Sequence, residues 1–284
     1  MITVVGGTGH LGREVVRRLL ADGNAVRVYA KGAASATDLA EAGAELVPGD
    51  IRDAAAVARA VEGSAVTVCA AQGLAGTGKP SPATVDRDGN RNVVDAAARS
   101  GAAVVLVSVV GAGPDHPVEL HRMKGEAEAY LRGSGVPWTI VRGTAFVETW
   151  CDVLRSSANR AGRVQVFGRG RNPVNFVSVR DIGQAVVRAA VDPTLREQVI
   201  EVGGPGQLTL DELARLVAPG TEPRHVPRTA LRLMRVLARP VQPQLARLAE
   251  AALAMDTMDT TFDPAPAHAA YPWLPSTRVE AALS

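Results

Sequence analysis

Three glycines near the start of the chain, Gly6, Gly9 and Gly12, constrain its fold more than any other feature because of what flanks them. Met1 to Val5 is a short apolar run fit for a buried strand. The spacing G-x-x-G-x-x-G comes at once, and then a stretch of helical periodicity. In it Leu11, Val15 and Leu19 share one face, while Arg13, Arg17 and Arg18 fall largely off that face. Strand, glycine turn and helix N-terminus, in that order, form a dinucleotide-binding unit. Gly6 allows the tight turn, Gly9 lets a pyrophosphate approach the backbone, and Gly12 lets the helix sit close to the strand. Thr8, His10 and Leu11 belong to the same turn. The first-turn amides and the helix dipole there favour phosphate charge.

A glycine pattern of this kind is weak by itself, and its context decides. Asp22-Gly23-Asn24 ends the first helix, since Gly23 and Asn24 tolerate the left-handed backbone. Strands are expected at Ala25–Ala30, Glu45–Val47, Ala65–Ala71, Val104–Val110 and Trp138–Val141. Helices are expected at Asp53–Val61 and over 84–99, 119–132 and 146–157. Alternation at this short spacing predicts an α/β fold, a doubly wound parallel sheet with helices on both faces and right-handed crossovers. The length of 284 residues and the 46% apolar content suit one large α/β domain with a smaller appendage. The dinucleotide-binding (Rossmann) domain is placed at 1–202, including late strands near 163–179. A smaller, mostly helical C-terminal region at 203–284 is expected to cover the carboxyl ends of the strands and the substrate. Thr209-Leu210-Asp211-Glu212 is a capping box that opens a helix in it, and proline punctuates the chain from residue 219 onward.

A net charge of only +2 gives no global signal for nucleic acid. Between Glu222 and Glu250 there are six arginines and no acidic residue. Arg228, Arg232, Arg235 and Arg239 share a helix face there. We read them as a solvated face opposite Leu233, Val236 and Leu237 rather than as an anion or partner surface, because the stretch is short and lacks interleaved aromatics. Cys69 and Cys151 make neither a disulfide framework nor a metal motif, and Cys69 reads as an inert buried thiol. No apolar run approaches the roughly 18 residues of a membrane span, and the N-terminus has no apolar signal region. A cytoplasmic protein is expected, a monomer or homodimer that acts on a small molecule, with no nucleic-acid or membrane partner and no metal.

The cofactor is read from the end of the second strand. A carboxylate there holds the ribose 2′-hydroxyl of NAD. Here the sequence is Tyr29-Ala30-Lys31-Gly32, and Lys31 suits the 2′-phosphate of NADP, so NADP is favoured over NAD. Arg13 reads as a surface cation. Asp50, after the third strand and followed by Ile51, either accepts from the adenine amino group or caps the helix that begins near residue 53. Residues 73–80 come within one residue of a Walker A loop, but Pro80 stands where the magnesium-binding Ser/Thr is needed. This loop, entered through Ala71, Gln72 and Gly73, is expected instead to line the nicotinamide half of the pocket.

Taken together, Gly6 to Gly12, Val85 to Asn92, Leu106 to Gly111, Lys124 to Glu128, Trp138 to Arg142, Val177 to Ile182, and Glu201 to Pro205 with Leu208 and Thr209 carry a resemblance. Over residues 1–217 the chain resembles the atypical short-chain dehydrogenase/reductases of the NmrA-like and isoflavone-reductase-like type. The resemblance implies a sheet of about seven strands, with a nicotinamide cofactor across its carboxyl edge and substrate under the C-terminal part. It also implies a Tyr-x-x-x-Lys pair. Lys124 matches the lysine and is expected to contact the cofactor ribose, but Leu120 occupies the tyrosine position. His121, sharing a helix face with Lys124, and His116 before it are candidate proton donors. Ser108 is a candidate to orient a substrate oxygen or the nicotinamide amide. Phe146 and Trp150 read as core aromatics.

Two functions remain. One is an NADP(H)-dependent oxidoreductase that transfers hydride to a small conjugated or quinone-like carbonyl substrate, where delocalisation in the product makes the missing tyrosine unimportant. The other is an NmrA-like redox sensor or regulator that binds NAD(P) without turnover.

Overall fold

The computed structural model describes residues 1–74, 80–159 and 162–283. Its strands are β1 (Ile2–Val5), β2 (Val26–Ala30), β3 (Glu45–Pro48), β4 (Val66–Cys69), β5 (Ala103–Val109), β6 (Trp138–Gly143), β7 (Ala145–Phe146), β8 (Gln165–Phe167), β9 (Pro173–Val177), β10 (Gln198–Val202), β11 (Gln207–Thr209) and β12 (Arg224–Val226). The α-helices are α1 (His10–Ala21), α2 (Thr37–Glu41), α3 (Ala54–Val61), α4 (Asp88–Ser100), α5 (Glu119–Gly133), α6 (Val147–Ser156), α7 (Val179–Val191), α8 (Leu210–Val217), α9 (Arg228–Leu237), α10 (Pro243–Thr257), α11 (Ala265–Ala270) and α12 (Val279–Ala282).

The described residues divide into two units, one of residues 1–73, 80–143 and 179–202, the other of 74, 144–159, 162–178 and 203–283. The first is an α/β unit around a seven-stranded sheet in the order β10-β6-β5-β4-β1-β2-β3, with every pairing parallel. Such strands are covered on both faces and so run nearly continuously apolar. On one face Val5, Tyr29, Cys69, Leu106 and Ile140 pack against Val57 and Val61 of α3, Val93 and Ala97 of α4, and Ala127 and Leu131 of α5. Alternation turns Val4, Val28, Val68 and Val105, all fully buried, to the other face, against α1 and α7. The two helices meet closely: a Cβ on Gly183 would stand 2.6 Å from Glu14 Cγ.

Two local departures from the expected elements stand out in this unit. The expected helix over 84–99 begins instead as a π-helical turn, Pro82–Arg87, capped by Ser81, and continues as α4. That wide turn carries Asp86 inward to full burial. The helix over 54–61 is capped by Asp53, whose carboxylate accepts the Ala56 N–H at 3.0 Å, and this leaves Asp50 for other partners.

The second unit holds a three-stranded sheet in the order β11-β9-β7, a two-stranded pair β12-β8, and helices α6 and α8 to α12. Asn175 on β9 is fully buried and ties its parts together. Its amide donates to the Gly204 and Gly206 carbonyls and its oxygen accepts from Gly204 N–H and Thr144 Oγ1. The capping box at Thr209 forms as expected, with Thr209 and Glu212 each bonding the other's backbone N–H. The arginine-bearing helix α9 differs from expectation. Its contact with α10 runs through buried Leu231 and half-buried Met234, so Leu233, Val236 and Leu237 are not under the arginines but exposed. Arg228 is turned inward to buried Asp256, which lies near the end of α10.

Candidate functional site

Parallel pairing brings the ends of β1 to β5 to one edge. Val5 stands level with Tyr29 and Cys69, Tyr29 with Val47, and Cys69 with Leu106. Apart from Lys124 on α5, the predicted cofactor residues leave the sheet at that edge. The strand order reverses direction at β1, which lies between β4 and β2, and such switch points are where these sheets bind ligands.

The glycine turn is built for close approach. Gly6 has φ +84°, in the left-handed region, and donates its N–H to the Tyr29 carbonyl at 2.8 Å. A Cβ on Gly12 would lie 2.2 Å from the Gly6 oxygen, so only glycine lets α1 start this close to β1. A Cβ on Gly6 would meet Ala71 N at 2.6 Å, which locks the turn to the chain leaving β4. Gly9 is different, because a Cβ there would find nothing nearer than the Gly6 oxygen at 3.7 Å. The turn is therefore tight on its protein side and open beside Gly9. Leu11 is buried beneath it, while Thr8 is half-buried and His10 exposed.

At the ends of β2 and β3, charged residues converge. Lys31 Nζ lies 3.1 Å from Asp50 Oδ2, and Arg52 grips the same carboxylate in a fork, at 2.6 Å for its shortest contact. Arg52 and then Lys31 hold the Asp50 carboxyl well below the usual carboxylate range. A would-be Cβ on Gly32 stands 3.6 Å from Thr8 Oγ1, so the end of β2 adjoins the glycine turn. Ile51 is buried against α4, and its carbonyl accepts from Asn92 at 3.0 Å. Arg13 is paired with Asp38 at 2.6 Å, a partner it shares with Arg17. Arg52 was missed in the sequence. Its only signal was a cation two residues beyond a carboxylate.

Beyond β4 and β5 a second cluster gathers around α5. Lys124 is almost wholly buried; its Nζ donates to the Val107 carbonyl at 2.9 Å and forms an ion pair with Asp86 at 3.0 Å. Asp86 also accepts the Gly73 N–H at 2.8 Å. Burial pushes the Asp86 carboxyl up, and Lys124 and the Gly73 amide oppose that shift. Gly73 sits so tightly that a Cβ would reach 2.3 Å from the Ser81 oxygen. One turn beyond Lys124, Glu128 accepts the Ser108 hydroxyl at 2.6 Å and is clamped by Arg142 at 2.6 Å. The Ser108 hydroxyl is thus engaged in a buried network. Ala71 is half-buried and Gln72 exposed; of the glycine-rich loop after them, residues 75–79 lie outside the described residues.

His121 and His116 stack with ring centres 3.9 Å apart. Burial, and then the neighbouring His116, push the His121 pKa down to about 3, and burial lowers that of His116 as well. His121 is consequently neutral at pH 7, and a neutral imidazole is a poor proton donor. His116 Nδ1 accepts the Val118 N–H at 3.1 Å. Leu120, in the tyrosine position, is buried. Cys69 is fully buried with its thiol pushed up to about 12, so it is inert.

The chain is similar to several known proteins in sequence and in fold. The sequence model of a family described as NAD(P)H-binding matches residues 6–193. An NAD(P)H azoreductase from Xenophilus azovorans is 28% identical over 230 residues, which cover 80% of this chain and 76% of that one. A (4-alkanoyl-5-oxo-2,5-dihydrofuran-3-yl)methyl phosphate reductase from Streptomyces griseus is 33% identical over 216 residues, covering 75% of this chain and 71% of that one. Among solved structures, an NADPH-dependent quinone oxidoreductase from Escherichia coli complexed with NADPH superposes with a TM-score of 0.76. The identity is 20%, with 99% of this chain and 97% of that one covered, and this likeness is one of fold.

Proposed function

Because the chain belongs to the NAD(P)H-binding family, we propose that it is an NADP(H)-dependent oxidoreductase acting on a small conjugated or quinone-like carbonyl acceptor. The observation that supports this reading is a glycine turn tight at Gly6 and Gly12 and open beside Gly9, together with the lack of a proton donor at Leu120 or His121. A conjugated acceptor needs none, because the charge left by hydride addition spreads through the π system and water can supply the proton. The substrate named for the Streptomyces relative carries a ring double bond conjugated to a carbonyl, and an azo group is likewise conjugated.

The nicotinamide, when bound, supplies the hydride. In this reading the amides around Gly9, His10, Leu11 and Gly12 take the pyrophosphate, with Thr8 beside them. Lys31 and Arg52 turn from Asp50 towards the 2′-phosphate, and Ile51 forms the apolar floor under the adenine. Ala71, Gln72 and Gly73 border the nicotinamide half. Lys124 has three N–H groups and, among the described residues, two partners, so a third N–H would be left for the nicotinamide ribose. Ser108 acts through Glu128, holding the end of β5 in place. His121 contributes shape rather than a proton.

The test is to mix the protein with NADPH and a panel of quinones, enones and azo compounds, following loss of reduced-nicotinamide absorbance. Oxidation by at least one class, faster than with NADH, is expected. Tight NADPH binding with no oxidation across the panel would overturn the enzyme reading in favour of a cofactor sensor.

A further inference from the structure

The helix α9 and the turn after it carry a surface that the dinucleotide site does not use. Leu233, Val236, Leu237 and Val241 are 59%, 62%, 62% and 80% exposed, the four most exposed large apolar side chains among the described residues. Leu233, Leu237 and Val241, with Met234, Ala238 and Gln242, border an open apolar groove. Scattered exposed leucines need no explanation, but four adjacent apolar side chains mark a site of interaction.

The geometry of the helix shows what kind. At the turn of an α-helix, Leu231 and Met234 fall on one side and pack against α10. Arg228, Arg232 and Arg235 fall within an arc of about 60° beside them, and Val236, Leu233 and Leu237 within the next arc of about 100°. Arg228 is taken inward by Asp256, whereas Arg232, Arg235 and Arg239 are exposed. No carboxylate lies between Glu222 and Glu250 to neutralise them. The outward side of α9 is thus half apolar and half cationic, the two halves edge to edge.

We propose that this face docks on an anionic lipid surface, with Leu233, Val236, Leu237 and Val241 entering the acyl boundary and Arg232, Arg235 and Arg239 lying among the lipid phosphates. An amphipathic helix of this pattern lies in the membrane interface, held by its apolar area and by attraction of its cations to acidic headgroups. Long arginine side chains reach upward to phosphates while their stems stay against apolar surface. A second copy of the chain fits the face less well, since a two-fold contact would bring the same arginines together. Nucleic acid would leave the four apolar side chains in water. The docking is peripheral, and among the described residues no helix is long and apolar enough to cross a membrane.

The test is co-sedimentation of the full chain with vesicles of phosphatidylglycerol and phosphatidylcholine in equal parts, and with phosphatidylcholine alone. Binding to the anionic vesicles at low salt, at least about tenfold stronger than to the neutral ones and weakened by high salt, is expected. The variants Leu233→Ser/Leu237→Ser and Arg232→Glu/Arg235→Glu alter exposed positions and keep the native circular dichroism. Each should lower vesicle binding about tenfold or more while NADPH binding is unchanged. No binding to anionic vesicles at low salt, or equal binding by wild type and both variants, overturns the proposal. So does a dimer in sedimentation velocity that Leu233→Ser/Leu237→Ser converts to monomer, because a second copy would then own the face.

Discussion

Asp50 and His121 show how a side chain's meaning depends on what stands within a few ångströms of it. The sequence offers Asp50 as an adenine acceptor or a helix cap. Asp53 takes the cap, and Asp50 instead gathers Lys31 and Arg52 into one charged cluster at the end of β3. If Lys31 and Arg52 hold the 2′-phosphate as proposed, replacing either by Ala should raise KM for NADPH about tenfold while moving that for NADH little, since each would remove one charge-assisted contact. Equal effects on both cofactors would remove these residues from cofactor choice. His121 has a pKa in the folded chain of about 3, below the ordinary value of 6.5 that it regains on unfolding. The unfolded state binds the extra proton, so stability is full above pH 7 and is lost as pH falls through 6.5 towards 3. Between pH 7 and 5 this amounts to about 2 kcal/mol. Denaturant titrations should show the wild type losing that much more than His121→Phe over the same interval. The histidine motif was visible in the sequence, but its burial against His116 was not, because stacking is set by the loop from Gly111 to Val118 and not by helical spacing.

At the level of elements, alternation and the glycine turn were legible because strands buried on both faces read as apolar runs and helices as striped ones. The capping box at Thr209 was legible too, since its partners lie three residues apart. What periodicity could not carry is pairing between distant elements. Lys124 on α5 and Asp86 in the π-helical turn before α4 were both in view as parts of separate motifs, yet their ion pair depends on the extra residue in that turn. Lys124→Met should destabilise the chain by about 3–5 kcal/mol in chemical denaturation, because it leaves a buried carboxylate uncompensated. Adding Asp86→Asn, which removes the charge, should recover a large part of that loss. If the double variant is no more stable than Lys124→Met alone, the pair is not what the lysine contributes. Glu128, Arg142 and Ser108 form a second such network, joining α5, β6 and β5. The exposure of Leu233 and its neighbours on α9 escaped the sequence for a related reason: amphipathic spacing shows that a helix has faces, and only packing shows which one is covered.

At the scale of the whole molecule, a ligand that binds only the folded state stabilises it by mass action. NADPH at about a hundred times its dissociation constant should add roughly 2.7 kcal/mol, and equal NADH distinctly less, read as the shift of the thermal midpoint. The division into two units was harder to see, because residues 144–178 lie between strands of the first unit while belonging to the second. That interleaving has a consequence in time. The sheet's first six strands are complete when Gly143 has been made, but β10, which covers the outer side of β6, begins only at Gln198. At about 5–20 residues per second, a ribosome leaves the β6 edge without its neighbour for several seconds. During that wait the nascent chain presents an unpaired, apolar strand, the kind of surface that recruits other chains.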